Sequence, residues 1–267
     1  LSDIKISANW MGAPDKLKGD QDLYEAVEAV GMDLCPKWDI CIPVGKDSLS
    51  MATSWRDEEK NEHSVTSPLS LIVSAFAPLK EVNLAITPQI NLTSSKSSEL
   101  IFIDLAKGKK RMGGSIAFQV SSQFLGSVPD VECVNEMPEL VKVMHQLIKE
   151  KKVIAYHDRS DGGLICSLLE MAFCGRNGLD IKLDEVCETN KQILDFLFNE
   201  ELGMVIQVPT ENTEEVINLV SEAGLKDHIY RIASPNESKD IKVFQNESLA
   251  FEWKLSDLLK EWNFVSH

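Results

Sequence analysis

Apolar residues recur along this chain at two spacings, one typical of helices and one typical of strands. Helical spacing runs through residues 21–34, 137–152, 193–198 and 213–223. Short alternating or β-branched runs, typical of strands, occupy residues 5–10, 40–44, 69–77, 100–105, 204–208, 229–232, 241–244 and 249–253. Because strands and helices alternate along the chain, we predict a layered α/β or α+β fold.

A polar stretch, YHDRSDGG at residues 156–163, lies between the apolar run 153–155 and an apolar helix predicted over residues 164–173. Its small and acidic residues allow a sharp turn in which carboxylates and backbone amides face one small volume. Two interpretations stay open. In the first, Asp158 and Asp161 supply oxygen ligands to a Mg²⁺–phosphate site. In the second, Ser160 or Asp161 caps the following helix.

A second polar segment, GKDSLSM at residues 45–51, directly follows the strand predicted over residues 40–44. Its glycine, ammonium group and hydroxyls suit an anionic oxygen, although the spacing is not that of a P-loop. A hairpin with a surface lysine is the equally weighted alternative. The basic run at residues 107–111 is interpreted as a solvated loop rather than as an anion site.

Composition and charge narrow the classes of function. The net charge of −15 argues against a broad nucleic-acid interface, and no apolar run is long enough to suggest a membrane helix. The six cysteines show neither zinc-ligand spacing nor C-x-x-C pairs, so we expect reduced thiols and a cytoplasmic location. No G-x-S-x-G elbow accompanies His157, and the adjacent acids Glu200 and Glu201 should point apart, so no catalytic residue is assigned.

Six segments of the chain form a distinctive set. In chain order they are SANWM at 7–11, PVGKDSLSM at 43–51, TSPLSL at 66–71, HDRSDGGL at 157–164, LEMAF at 169–173 and FNEELG at 198–203. Together they resemble one enzyme family, the large, single-chain phosphoribosylformylglycinamidine synthases of the aminoimidazole ribonucleotide synthetase superfamily. The resemblance covers essentially the whole chain, whereas the chain covers only part of such an enzyme. We therefore expect it to be a piece of a longer polypeptide.

The resemblance implies a domain organisation. Residues 1–92 correspond to part of an N-terminal-type synthetase domain, and residues 93–240 to a C-terminal-type domain. Residues 241–267 are expected to form a terminal hairpin and the start of a linker toward a glutaminase domain. The composition shift at residues 91–98, NLTSSKSS, indicates the same boundary from the sequence itself.

The resemblance also implies an activity and its site residues. The family converts formylglycinamide ribonucleotide, ATP and glutamine to formylglycinamidine ribonucleotide in purine biosynthesis. Asp158 matches a Mg²⁺ ligand of the family, and Ser160, with Gly162 and Gly163, matches an ATP/ADP site that is auxiliary and structural. Gly45, Lys46, Asp47 and Ser48 match a loop that contacts substrate phosphates, and Lys46 replaces a metal-binding asparagine of small relatives.

The same resemblance limits what the isolated chain is expected to do. The other Mg²⁺ ligands, a glycine-rich nucleotide loop and the glutaminase residues of the family have no match here, so we expect no turnover without the remaining domains. The alternative role is a structural nucleotide-binding and assembly module of the same enzyme. Nucleotides and ribonucleotides are the expected small-molecule partners. Unpartnered sheet edges favour self-association.

Overall fold

The computed structural model describes residues 1–13, 19–92, 97–123, 125–184, 186 and 190–264. These residues divide into two compact units, Leu1–Val82 and Asn83–His267. The boundary expected at residues 92/93 adjoins residues 93–96, which lie outside the described residues. The mixed composition of both units confirms the predicted α+β class.

The first unit is built on a three-stranded sheet and a separate hairpin. Its strands are β1 (Lys5–Met11), β2 (Cys41–Ser48), β3 (Ala52–Arg56), β4 (Glu62–Thr66) and β5 (Ser70–Phe76). β1 is central and pairs parallel to β2 and antiparallel to β5, whereas β3 and β4 pair with each other. The long β2 makes one prediction wrong, because residues 45–48 continue the strand instead of leaving it as a turn.

The helical part of the first unit differs in detail from the predicted helix over residues 21–34. It consists of α1 (Gly19–Glu28), a π-helical segment (Ala29–Leu34) and α2 (Cys35–Trp38). The predicted apolar stripe is only partly covered, and Val27 is 41% exposed. Among the described residues of this unit the buried apolar side chains are few, namely Ile6, Ala8, Trp10, Ala13 and Cys35.

The second unit is a seven-stranded sheet with helices on both faces. Its strands are β6 (Ser98–Asp104), β7 (Ala155–Asp158), β8 (Gly178–Lys182), β9 (Gly203–Pro209), β10 (Ile229–Asn236), β11 (Asp240–Gln245) and β12 (Ser248–Lys254). Its helices are α3 (Ile116–Val120), α4 (Met137–Lys149), α5 (Gly163–Gly175), α6 (Asn190–Phe198), α7 (Thr213–Val220) and α8 (Leu255–Phe264). The strand order β12-β11-β8-β10-β6-β9-β7 places β7 at one edge.

Alternation along β6 creates two separate apolar cores. Leu100 and Phe102 face a core that includes side chains of α5, α6 and α8, whereas Ile101 and Ile103 face a core with α4 and α7. A strand buried on both faces reads as a continuous apolar run, which explains the sequence LIFI. The predicted α/β layering is therefore confirmed in this unit.

The predicted C-terminal hairpin forms between β11 and β12, and it extends the main sheet. β11 pairs parallel to β8, a strand that the sequence pattern did not predict. Leu255 at the start of α8 is buried in the core beneath α5 and α6. Residues 240–264 thus belong to the same compact unit as the sheet.

The cysteines that the structure describes, Cys35, Cys41, Cys133, Cys166 and Cys174, are free thiols, and Cys187 lies outside the described residues. Burial raises the pKa of Cys133 to about 11, so this thiol stays protonated at neutral pH. Across the described helices, none combines the length and the apolar character that a membrane crossing requires.

Candidate functional site

The turn at residues 158–163, called here the 158–163 turn, connects the edge strand β7 to α5. Asp158 is the last residue of β7, and the helix begins at Gly163. Asp158, Ser160 and Asp161 are exposed, while Arg159, Gly162 and Gly163 are buried. The turn therefore presents two carboxylates and a hydroxyl to solvent, while its other three residues are buried against the rest of the unit.

Arg159 is the anchor of this turn, and it is only 5% exposed. Its Nε donates to the Glu201 carbonyl at 2.5 Å, and its Nη2 donates to the Leu202 carbonyl at 2.7 Å. Nη2 also reaches Asp104 Oδ1 at 3.0 Å, and the guanidinium lies 4.8 Å from the Phe102 ring centroid. Burial lowers the pKa of Arg159, opposed by Asp104. This network holds the turn against the segment that joins α6 to β9.

Gly163 permits the close packing of α5 against the end of α6 and the residues that follow it, whereas Gly162 leaves room for the Cys166 side chain of α5 itself. Both have positive φ angles, +82° and +77°. A Cβ at Gly162 would lie 2.4 Å from Cys166 Sγ, and one at Gly163 would lie 2.6 Å from the Leu197 carbonyl oxygen. The groups that approach this glycine pair most closely are side-chain and backbone atoms of the protein itself.

The capping interpretation is wrong in its details, because neither Ser160 nor Asp161 caps α5. The N-cap is Gly162, which has no side chain to offer. Instead, the Glu200 carboxylate accepts from the Gly162 N–H at 2.7 Å and from the Ile116 N–H at 2.9 Å. The Gly163 N–H donates to the Ser160 carbonyl at 2.9 Å. Glu200, which is distant in sequence, thus satisfies the N–H donor at the start of α5 that we had expected a side chain of the turn or a ligand to satisfy.

The exposed side chains of the turn have few protein partners. Tyr156 donates its hydroxyl hydrogen to Asp158 Oδ1 at 2.5 Å. Burial, assisted by this bond, raises the pKa of Tyr156 above its usual value. His157 is held between Glu170 at 2.8 Å and the Asp158 carbonyl at 2.8 Å, which fits its interpretation as a structural histidine.

Among the residues that the structure describes, no group of three or more His, Cys, Asp or Glu side chains is arranged to hold a metal ion. Asp158 is therefore a single exposed carboxylate and not part of a protein cage. Mg²⁺ in nucleotide sites is commonly bound through one or two carboxylates together with phosphate oxygens and water. The residues present fit that kind of site and do not fit a site formed by protein ligands alone.

An apolar cavity of about 440 Å³ adjoins the turn. Its lining includes Ile116, Asp161, Gly162, Cys166 and Phe173. A second cavity of about 450 Å³ shares Ile116, Gly162 and Cys166 and extends along α3 and α6. Apolar walls beside a few polar groups are typical of small-molecule sites.

The basic run at residues 107–111 forms a loop, as predicted, but its cations pair with acids of the protein and are not simply solvated. Lys107 pairs with Glu136 at 2.5 Å, and Lys109 pairs with Glu132 at 2.7 Å. Arg111 Nε donates to Glu201 at 2.5 Å, and this bond is the main cause that raises the pKa of Arg111. Because Glu201 is fully buried, its charge depends on Arg111 for compensation. Glu200 and Glu201 bond to different partners, Glu200 to the Gly162 and Ile116 N–H groups and Glu201 to Arg111.

In the first unit, residues 45–48 lie on the exposed strand β2, which the continuous parallel register with β1 keeps extended. Gly45, Lys46 and Asp47 are exposed, and Ser48 is half-buried. Lys46 Nζ donates to Ser48 Oγ at 2.6 Å and to the Asp47 carbonyl at 3.3 Å. The ammonium and the hydroxyl thus form one small polar cluster on the strand.

Asn9 and Trp10 lie beside this cluster and were not predicted as site residues. The register places Asn9 next to Lys46 and Trp10 next to Asp47. Asn9 Oδ1 and Trp10 Nε1 are buried without a hydrogen-bond partner in the described part of the chain. Unsatisfied buried polar atoms are uncommon, so they indicate a place where a further group completes the structure.

Two family models match the chain. The FGAR-AT PurM_N-like domain matches residues 1–78, and the C-terminal domain of AIR synthase related proteins matches residues 103–246. These ranges fall within the first and second compact units, respectively. The sequence is also 41% identical, over its whole length, to the phosphoribosylformylglycinamidine synthase of Schizosaccharomyces pombe, of which it spans 20%.

Solved structures show the same fold at lower identity. T. maritima PurL complexed with ATP is 14% identical, with a TM-score of 0.61, covering 95% of this chain and 37% of PurL. The FGAR complex of T. maritima PurL has the same identity and TM-score, and the match covers 39% of it. The match to the C-terminal domain of AIR synthase related proteins covers residues 103–246, which is more than half of the sequence. The chain therefore belongs to the family of AIR synthase related proteins.

Proposed function

We propose that the chain is part of an ATP-dependent amidoligase that converts formylglycinamide ribonucleotide, ATP and glutamine to formylglycinamidine ribonucleotide in purine biosynthesis. The observation that carries this proposal is the 41% identity to phosphoribosylformylglycinamidine synthase over every segment of the chain. PurL structures of the same fold bind ATP and FGAR, as their names state. Because the chain spans a fifth of its relative, the activity is that of the longer protein.

The 158–163 turn is proposed as a Mg²⁺–nucleotide site. Asp158 offers a metal ligand, and Ser160 offers a hydroxyl to a phosphate, from a backbone that Arg159 holds in place. Mg²⁺, when bound, would neutralise phosphate charge. Gly162 and Gly163 contribute by allowing the turn to pack closely, and the apolar cavity beside Gly162 suits the non-phosphate part of a nucleotide.

The 45–48 strand segment is proposed as a substrate-phosphate contact. Lys46 supplies the positive charge, and Ser48 supplies a hydroxyl that already lies 2.6 Å from the ammonium. Gly45, whose missing side chain leaves room above the Trp10 ring, and the Asp47 backbone complete the segment. An ammonium is a flexible point charge that binds phosphate well, so Lys46 acts through its charge rather than through a metal.

The remaining domains of the longer protein complete the reaction, including a glutaminase domain that releases ammonia. No catalytic residue is assigned to this chain, and the isolated chain is expected to form no amidine. A cytoplasmic location is proposed because the described cysteines are free thiols. Neither nucleic acid nor a membrane is among the proposed partners.

The proposal is tested by measuring amidine formation by the full-length protein with Lys46→Ala. Loss of a charged phosphate contact should raise the KM for one of the phosphorylated substrates about tenfold or more, while the protein remains folded. Lys37→Ala is the matched control, because Lys37 is an exposed lysine of the same unit. Full-length protein that forms no amidine would contradict the function, whereas equal kinetics of both variants would contradict only the role of Lys46.

The alternative, a structural and assembly module, is favoured by the exposed apolar side chains of β5. Ile72 is 55% exposed, Val73 47% and Phe76 63%. Apolar strands at a sheet edge tend to associate, so we propose that the isolated chain self-associates. Light scattering that finds only monomer at working concentration would exclude this association.

A further inference from the structure

A groove on the second unit gathers positive charge in a chain whose net charge is −15. It has a volume of about 450 Å³ and lies between the end of α5, the β10–β11 turn and α8. Four cationic side chains line it: Arg176, Lys239, Lys254 and Lys260. We call this cavity the basic groove. Neither family resemblance nor the proposed nucleotide site accounts for it.

Three of these cations have no acidic partner among the described residues. Lys254 pairs with Asp240 at 2.5 Å. Arg176, Lys239 and Lys260 form no ion pair with any residue that the structure describes. The half-buried Lys107 and Arg111 of this unit do form ion pairs, whereas these three groove cations are exposed. Like charges that converge without counter-charges repel one another, so a bound anion would stabilise this arrangement.

The neutral groups of the basic groove also suit a phosphate. Ser238 and Ser256 contribute hydroxyls, and Asn263 contributes an amide. Arg176 offers a planar fork of N–H donors that matches phosphate oxygens, and lysines add point charges. Leu255 and Leu259 provide an apolar part of the wall. The volume lies within the range of about 300–1,000 Å³ that is usual for small-molecule sites.

We propose that the basic groove binds the phosphate group of a small phosphorylated molecule, through Arg176, Lys239 and Lys260. The site is distinct from the 158–163 turn, and it requires no metal ion because the protein supplies the positive charge. The acids nearest the groove, Asp240, Glu252 and Asp257, all act on Lys254, which pairs directly with Asp240.

The test is calorimetric titration of this chain with sodium pyrophosphate and with ADP. Both titrations contain EDTA, which removes Mg²⁺, so a Mg²⁺-dependent site does not contribute to the measured binding. Wild-type protein should bind both ligands, and the double variant Arg176→Gly, Lys260→Gln should bind them at least about tenfold more weakly. Glycine is chosen at position 176 because Arg176 has a φ of +57°, a conformation that glycine adopts freely. Equal affinities for the two ligands would identify the phosphate as the recognised group, and tighter ADP binding would identify a nucleotide.

A charge-matched control separates a site from general attraction. Lys149→Gln, Lys226→Gln removes the same number of cations from exposed positions outside the groove. The control should bind both ligands as wild type does, and thermal melting should show that both double variants are folded. No binding by wild type, or equal weakening in the two double variants, would overturn the proposal.

Discussion

Replacing Arg159 by alanine is expected to lower the free energy of unfolding by about 3–5 kcal/mol, because a buried ion pair then loses one partner. Asp104 is 3% exposed and would keep its charge without the guanidinium that lies 3.0 Å away. The Glu201 carbonyl would lose the Arg159 donor at the same time, and the Leu202 carbonyl would keep only the Leu105 N–H. Chemical denaturation of the isolated chain, monitored by circular dichroism, measures the change.

Arg231→Ala is the matched control for this prediction. Arg231 also forms an ion pair, with Glu214, but both side chains are substantially exposed. Exposed pairs contribute about 0–1 kcal/mol, so this variant should remain close to wild type. If Arg159→Ala also costs less than about 1 kcal/mol, Arg159 does not anchor the turn in the way described. Adding Asp104→Asn to Arg159→Ala should recover part of the loss, because it removes the uncompensated charge.

Replacing Gly163 by alanine is expected to cost about 3 kcal/mol or more of stability, for two separable reasons. The residue has a φ of +77°, which costs an alanine about 1–2 kcal/mol. The new Cβ would also lie 2.6 Å from the Leu197 carbonyl oxygen and 2.7 Å from that of Asn199. Backbone atoms cannot move aside as a flexible side chain can, so α5 would have to shift away from α6.

Gly114 provides a control with nearly the same backbone conformation. Its φ is +78°, and a Cβ there would meet no atom within 4 Å. Gly114→Ala should therefore show the conformational cost alone, about 1–2 kcal/mol. The difference between the two variants measures the close packing of the turn. Equal losses at both positions would show that packing at Gly163 is looser than the structure indicates.

Sequence reasoning located the elements of the second unit because their apolar patterns are strong. The double-sided run at residues 100–103 and the helical stripe of α4 each have an unambiguous period. β8 was missed because its five residues, GLDIK, carry too few apolar positions to show alternation. Residues 45–48 were predicted to leave the strand because glycine, aspartate and serine favour turns. Their pairing with β1 keeps them in an extended strand instead.

At the candidate site, the sequence identified the exposed groups but not what holds them. Asp158 and Ser160 stand out because polar residues follow an apolar run. The supports come from distant segments: Glu200 bonds to Gly162 across 38 positions, and Arg159 reaches Asp104 across 55. Contacts at such separations leave no local pattern in the sequence, and the pair of Arg111 with the buried Glu201, 90 positions apart, is a further case.

The central claim is that the 158–163 turn holds a nucleotide through Mg²⁺ bound at Asp158, and calorimetric titration of this chain with Mg·ADP tests it most directly. Wild type should bind, and Asp158→Asn should bind at least about tenfold more weakly, because an amide replaces a charged metal ligand without changing the shape of the side chain. Asp161→Asn, an equally exposed acid of the same turn, should retain binding. Equal affinity of wild type and Asp158→Asn, or no binding by wild type, would contradict the account.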